Sequence, residues 1–125
     1  MGLLFVEYPK CSTCQKAKAW LNAGGIVFED RHIVLQPPTA AELEIWLQKS
    51  GMPLKKLWNT SGQKYRSLGL AEKLGQMDAA QQLALLASDG MLVKRPVLVG
   101  ETFALFGFAP EAWRAALIKE KAAQA

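Results

Sequence analysis

The stretch that decides the fold runs from Tyr8 to Lys18 and reads YPKCSTCQKAK. It contains both cysteines of the chain, Cys11 and Cys14, separated by two residues. The apolar run Leu3–Val6 before it predicts a buried strand, and the pattern after it predicts a helix ending near Ala23. A helix N-terminus carries unpaired N–H groups and a partial positive charge, and both favour a thiolate over a thiol. This placement therefore favours a redox-active Cys-x-x-Cys pair.

The two cysteines have different expected roles. Cys11 is the expected nucleophile, because it lies nearer the helix end and solvent, and Cys14 is the expected resolving thiol one helical turn later. Lys10, Lys16 and Lys18 add positive charge near the pair. Two other interpretations stay open: an inert pair of core cysteines, and half of a zinc site completed by His32 and carboxylates. No resident metal is expected, because structural zinc requires four ligands.

Length and composition limit the class of protein. The 125 residues suit one domain over residues 1–125, and a chain with 50% hydrophobic and 21% charged residues is globular. Two cysteines are too few for a secreted disulfide scaffold, and the sequence reads neither as a signal peptide nor as a membrane span, so we expect a cytoplasmic protein. The net charge of +4 is scattered, which suits a small anionic substrate or an acidic partner better than nucleic acid.

The order of predicted elements defines an α/β fold. The first helix is followed by a second strand at Ile26–Val34, which completes a right-handed βαβ unit with parallel strands. A helical insert is expected at about 38–90. Two more strands, Pro96–Val99 and Thr102–Phe106, form a hairpin across a Gly-Glu pair, and Pro110 opens the last helix. The order βαβ, helical insert, ββα predicts a mixed four-stranded sheet with helices on both faces.

A second candidate constellation lies at Lys94-Arg95-Pro96, just before a predicted strand. A proline that opens a strand is tolerated because it has no N–H to offer the sheet, and an X-Pro bond there can be cis. Arg95 would then lie near the thiol, where its fork of donors suits an oxyanion or a carboxylate. The alternative is that Lys94 and Arg95 are solvated residues that merely flank the strand.

Several short segments in a fixed order carry a resemblance to a known family. They are Tyr8–Ala17, Pro37–Thr39 with Glu42 and Leu43, Tyr65–Leu70, Lys94–Pro96, and Gly107–Phe108 before the final helix. Together they span nearly the whole chain and resemble the ArsC (arsenate reductase-like) family of the thioredoxin superfamily, which includes Spx-type transcriptional regulators. The resemblance implies a thioredoxin-like fold.

The resemblance also implies roles for individual residues. In arsenate reductases of this type, the nucleophile corresponds to Cys11 and the arginine before the cis proline corresponds to Arg95. A further arginine of those enzymes corresponds to Asn59, and a third has no counterpart between 100 and 110, so efficient arsenate reduction is not expected. Cys14, absent from those reductases, implies a self-resolving dithiol as in the Spx-like branch. The remaining substrate-binding candidates are Lys10, Ser12, Thr13 and Pro96.

Three functions are therefore expected, in this order. The first is a cytoplasmic, monomeric thiol–disulfide oxidoreductase with a small anionic or thiol substrate, no bound cofactor, glutathione as a candidate co-substrate, and a glutaredoxin or thioredoxin as partner. The second is an Spx-like redox-sensing regulator that binds RNA polymerase. The third is a weak, glutaredoxin-dependent arsenate reductase that relies on Arg95. Neither direct nucleic-acid binding nor membrane association is expected.

Overall fold

The computed structural model describes residues 2–124 and arranges four short strands in one mixed sheet. The strands are β1 (Leu3–Glu7), β2 (Phe28–His32), β3 (Val97–Val99) and β4 (Ala104–Phe106). The order across the sheet is β2-β1-β3-β4; β1 pairs parallel with β2 and antiparallel with β3, and β3 pairs antiparallel with β4. The expected α/β, thioredoxin-like class is confirmed.

Six α-helices are present within the described residues, and three short 3-10 segments lie among those between β2 and β3. The longest described helices are Ser12–Ala23, which connects β1 to β2, and Pro110–Gln124, which follows β4. The 3-10 segments are Leu54–Leu57, Leu74–Gln76 and Gly90–Leu92. The helices are α1 (Ser12–Ala23), α2 (Ala40–Ser50), α3 (Gln63–Ser67), α4 (Leu70–Lys73), α5 (Ala79–Ser88) and α6 (Pro110–Gln124). None of the helices described in residues 2–124 has the length and apolar character required to cross a bilayer.

The sheet separates two apolar clusters, because alternate residues of a strand point to opposite faces. Phe5 of β1 packs with Leu21 of α1 and Trp113 of α6 on one face. Its neighbour Val6 packs on the other face, with Trp46 of α2 and residues of α5. All of these side chains are almost fully buried, so the central strand β1 is fixed from both sides.

Strand β2 is shorter than the predicted range 26–34. The backbone N–H of Ile26 donates to Leu21 O at 3.0 Å, which places it in the turn after α1. At the other end, the Val34 N–H donates to the His32 ring atom Nδ1 at 3.1 Å. The predicted boundaries were wrong by two residues at each end, because these hydrogen bonds draw the flanking residues into turns.

The hairpin between β3 and β4 has a four-residue connection, 100–103, rather than the predicted Gly-Glu pair. The N–H and Oγ1 of Thr102 both donate to the buried carboxylate of Glu120 on α6, at 2.7 and 3.0 Å. The Gly100 N–H donates to Phe103 O and closes the turn. A contact with a distant helix thus removes Thr102 from the strand, which local sequence could not indicate.

A bidentate ion pair holds α2 against the edge of the sheet. Arg31 of β2 donates from Nη1 and Nη2 to the two carboxylate oxygens of Glu42, at 2.8 Å each. Glu42 also accepts from the Thr39 N–H at 3.0 Å and completes the capping box of α2. The Arg31 guanidinium, mainly through these hydrogen bonds, lowers the pKa of Glu42 to about 2. This pair fixes the start of the helical segment that forms one wall of the site described below.

Glu42→Gln is expected to lower the free energy of unfolding at pH 7 by ~1–2 kcal/mol, discounted because the Glu42 side chain is 34% exposed. The pKa of Glu42 is depressed on folding, so its contribution is present above the ordinary value of 4.5 and is lost as pH falls toward 2. Urea denaturation at pH 7 and near pH 2.5 tests this. Glu111→Gln, at a side chain 97% exposed, is the control and should change little. An equal deficit at both pH values would contradict the assignment.

Candidate active site at the start of helix α1

Cys11 is the N-cap residue of α1, and its sulfur is part of the cap. The backbone of Cys11 is extended, with φ −84° and ψ 121°, and its Sγ accepts a hydrogen bond from the Cys14 N–H at 3.4 Å. The Cys11 N–H donates to Tyr8 O at 2.9 Å, which fixes the turn after β1. The sulfur therefore lies where the first free N–H groups of the helix converge.

The environment shifts the pKa values of the two thiols in opposite directions. Burial alone would raise the pKa of the Cys11 thiol, but hydrogen bonds from Cys14 and Thr13 and the charge of Arg95 outweigh it, and the net pKa is lowered. Burial raises the pKa of Cys14 to about 12, helped by its hydrogen bond with Cys11 and the Cys11 charge. Cys11 is partly exposed and Cys14 is fully buried. The geometry thus distinguishes an accessible, acidic thiol from a protected one.

Arg95 lies beside the dithiol, at the end of the loop that leads into β3. The Arg95–Pro96 peptide bond is cis, which the sequence had left open. The guanidinium lies over the Tyr8 ring, 5.4 Å from its centroid, and Nη1 donates to Met91 O at 3.3 Å. Its Nε is buried and, among residues 2–124, has no hydrogen-bond partner. A positive charge is therefore held beside Cys11 and contributes to the lowered pKa of that thiol.

Cys11 and Arg95 open into one pocket of about 720 Å³. The walls come from the start of α1, the 3-10 segment and loop that follow α2, the loop before β3 and the turn after β4. Four cationic side chains and no carboxylate line it. The lining residues are Cys11, Thr13, Met52, Lys55, Lys56, Trp58, Asn59, Thr60, Ser61, Gly62, Lys94, Arg95, Phe106, Gly107, Phe108 and Ala109.

The structure brings together some of the residues that the sequence predicted for the site. Thr13 and Asn59 line the pocket with Cys11 and Arg95, and Cys14 lies buried behind Cys11. Pro96 is buried directly after Arg95 and does not line the pocket. Two candidates, Lys10 and Ser12, are exposed at the entry to α1 and do not line it either.

Lys18 does not supply free positive charge to the dithiol. Its Nζ donates to the buried carboxylate of Glu7 at 3.1 Å and lies 2.5 Å from Asp30. Burial, and a hydrogen bond with Asp30, raise the pKa of Glu7, while Lys18 opposes that shift. The predicted contribution of Lys18 was wrong, because strands β1 and β2 present two carboxylates that bind it.

Two lysines of the pocket, Lys55 and Lys56, were not among the residues that the sequence predicted for the site, and Lys94 was named only as the neighbour of Arg95 in the second constellation. A signal was present: the segment 51–70, which forms much of the wall, contains no Asp or Glu, and neither does 90–100. A run without acidic residues is not specific by itself, because the sequence does not show which distant segments meet. The fold brings them to the same pocket.

The sheet order, the Cys-x-x-Cys pair that caps the first helix, and Arg95 before a cis proline beside it are features of a thioredoxin-like fold of the kind that thiol oxidoreductases have. The chain belongs to the ArsC family, whose match covers residues 6–116. The resemblance read from the sequence is thereby confirmed.

Two relatives from Bacillus subtilis match most of the chain. One, named YusI, is 52% identical over 108 residues, which cover 86% of this chain and 92% of that protein. The other, named regulatory protein MgsR, is 32% identical over 108 residues, covering 86% of this chain and 84% of that protein. Relatives of this family therefore include a protein named as a regulator.

Solved structures agree with the fold. An ArsC family related protein from Bacteroides fragilis superposes with a TM-score of 0.89 at 51% identity, covering 92% of this chain and 97% of that chain. A protein from Streptococcus mutans, described as a possible arsenate reductase, gives a TM-score of 0.82 at 48% identity, covering 90% of this chain and 97% of that one.

Replacement of Arg95 should slow alkylation of Cys11. In a Cys14→Ser background, Arg95→Met is expected to reduce the iodoacetamide rate at pH 7 by about 3- to 10-fold, because removal of the nearby charge raises the pKa of Cys11. Arg95→Lys keeps the charge and should restore part of the rate. Arg114→Met, at an exposed helix position, is the control. Equal rates for Arg95→Met and its parent would contradict a role of Arg95 at the thiol.

Proposed function

We propose that this protein is a cytoplasmic thiol–disulfide oxidoreductase in which Cys11 attacks the substrate and Cys14 resolves the product. The observation that carries the proposal is the asymmetry of the pair. Cys11 caps α1 with a lowered pKa and opens into a cationic pocket, whereas Cys14 is buried with a raised pKa. An accessible thiolate backed by a protected thiol one turn away is the arrangement that exchange through a mixed disulfide requires.

The first step forms a mixed disulfide. The Cys11 thiolate attacks one sulfur of a substrate disulfide, forms a new S–S bond to it and releases the other half as a thiolate. Arg95 lies close enough to stabilise negative charge on the reacting sulfurs. Thr13 contributes its backbone N–H at the helix start.

The second step frees the product. Cys14 loses its proton to water, attacks the Cys11 sulfur and expels the bound thiolate, which takes up a proton from water; a Cys11–Cys14 disulfide forms and the substrate gains two electrons. In the mixed disulfide Cys11 carries no charge, which removes one of the causes that raise the pKa of Cys14. Glutathione, or a glutaredoxin or thioredoxin partner, then reduces the internal disulfide. No bound cofactor is required.

A second candidate function is supported by the relative MgsR, which is named a regulatory protein. The same Cys11–Cys14 disulfide would then act as a switch, and the RNA polymerase implied by the Spx-like resemblance would be the partner. Retention of this chain on immobilised RNA polymerase in one oxidation state only would favour this function. The third candidate is slow arsenate reduction. Arg95 lies beside Cys11 and supports it, whereas Asn59 occupies the position at which the resemblance implies an arginine in those reductases.

Cys14→Ser should trap the intermediate of the proposed reaction. After incubation with glutathione disulfide, intact-mass spectrometry is expected to show one glutathione on Cys14→Ser, because the resolving step is blocked. The unaltered protein should instead lose two hydrogens and carry no adduct, since Cys14 displaces the bound thiol. Cys11→Ser should show neither product. An adduct of equal yield on Cys11→Ser would contradict the assigned roles.

A further inference from the structure

The pocket is larger than a thiol exchange or a small oxyanion needs. Its volume of about 720 Å³ falls in the range of roughly 300–1,000 Å³ that suits ligands of drug or short-peptide size. Cys11, Thr13 and Arg95 account for the chemistry at one part of its lining. The rest of the lining should therefore contact parts of the substrate that do not react.

Three lysines of that lining have no role in the chemistry described above. Lys55, Lys56 and Lys94, here termed the lysine wall, make no ion pair and no side-chain hydrogen bond with any residue in the described part of the chain. By contrast, Lys18 and Lys64 are paired with carboxylates. A pocket lined by several unpaired cations and no carboxylate is complementary to an anionic ligand.

The backbone holds the lysine wall together across distant parts of the sequence. Lys55 and Lys56 lie on the 3-10 segment whose last residue, Leu57, is fully buried. The Lys94 N–H donates to Leu57 O at 2.8 Å, and an isolated bridge between Trp58 and Val93 continues this pairing. The three lysines therefore sit on two segments joined directly by hydrogen bonds.

Gly107 leaves room for the Lys94 side chain. A Cβ built on Gly107 would lie 3.0 Å from Lys94 Cε and 4.0 Å from its Nζ. Gly107 also has φ +86°, a conformation that other residues rarely adopt. The Lys94 side chain thus runs past this glycine, and both residues line the pocket.

We propose that the lysine wall is a carboxylate subsite that selects small thiols and disulfides bearing two or more carboxylates. This inference rests on the proposed function, because it concerns the non-reacting groups of the same substrate. Arg95 serves the reacting sulfurs, and the lysines bind carboxylates farther along the molecule. A Lys ammonium is a compact charge on a flexible stem, so the three lysines can adjust to carboxylates at different positions on a ligand. No step of the exchange changes, and the lysine wall contributes binding only.

The test compares two disulfide probes in the Cys14→Ser background. The dianionic probe is 5,5′-dithiobis(2-nitrobenzoate), and the neutral probe is 2,2′-dithiodipyridine. The ratio of their rates is expected to fall about tenfold in the triple variant Lys55→Gln/Lys56→Gln/Lys94→Gln, because charge-assisted contacts to the anionic probe are lost. The control Lys73→Gln/Lys119→Gln/Lys121→Gln removes the same charge from lysines that are also exposed but do not line the pocket. It should change the ratio less than twofold, since solvent and salt screen charges that lie outside the pocket.

A binding measurement separates this inference from the proposed function. S-methylglutathione carries two carboxylates and cannot exchange, and its Kd by calorimetry should rise about tenfold in the lysine-wall variant but not in the control. For the unaltered protein, a higher salt concentration should also raise the Kd for S-methylglutathione, and this measurement needs no variant. If the lysine-wall variant binds S-methylglutathione more weakly but Cys11 of the unaltered protein does not react with disulfides, the subsite stands and the proposed function is overturned. Fast reaction with the neutral probe, with no effect of the lysine-wall substitutions on either measurement, would overturn the subsite alone.

Discussion

The hydrogen bond from the Cys14 N–H to the Cys11 sulfur, 3.4 Å long, is the contact on which the candidate site depends. It exists because the chain leaves the central strand β1, turns at Tyr8 and enters α1 with Cys11 as the N-cap. Since β1 pairs on both sides and packs against apolar clusters on both faces, the sulfur is placed by the core of the protein rather than by a mobile loop. The position of the thiol is thus a property of the whole fold.

The same geometry gives the two thiols opposite pKa shifts. The helix start and Arg95 favour charge on Cys11, whereas burial opposes it on Cys14, and a single helical turn separates these two environments. Arg95 reaches the site from a segment more than eighty positions later in the chain, through the cis proline before β3. The four cationic side chains of the pocket favour anionic ligands near Cys11, because no carboxylate lines the pocket to balance their positive charge.

How much of the fold and site could be predicted from the sequence depends on whether the deciding contacts join residues that are close or distant in the sequence. Cys11, Cys14 and the βαβ unit could be read from one stretch, because strand, turn and helix signals are local, and Arg95 followed from its neighbour Pro96. Lys55 and Lys56 were not assigned, because their segment is brought to the pocket by backbone contacts with a distant segment, from the Lys94 N–H to Leu57 O and between Trp58 and Val93. Contacts between distant residues also explain two wrong predictions. Lys18 is paired with carboxylates on β1 and β2, and the hairpin is lengthened because Thr102 binds Glu120. The parts of the site that escaped prediction are those fixed by such contacts.

The most direct test is the ultraviolet absorbance of the thiolates as a function of pH, in the unaltered protein and in Cys11→Ser and Cys14→Ser. A thiolate should appear below the ordinary value of 9.0 in the unaltered protein and in Cys14→Ser, and should vanish in Cys11→Ser. The thiol remaining in Cys11→Ser should stay protonated well above that value, because burial, the largest of the causes that raise its pKa, persists. A low-pH thiolate that survives in Cys11→Ser, or is missing from Cys14→Ser, would contradict the account.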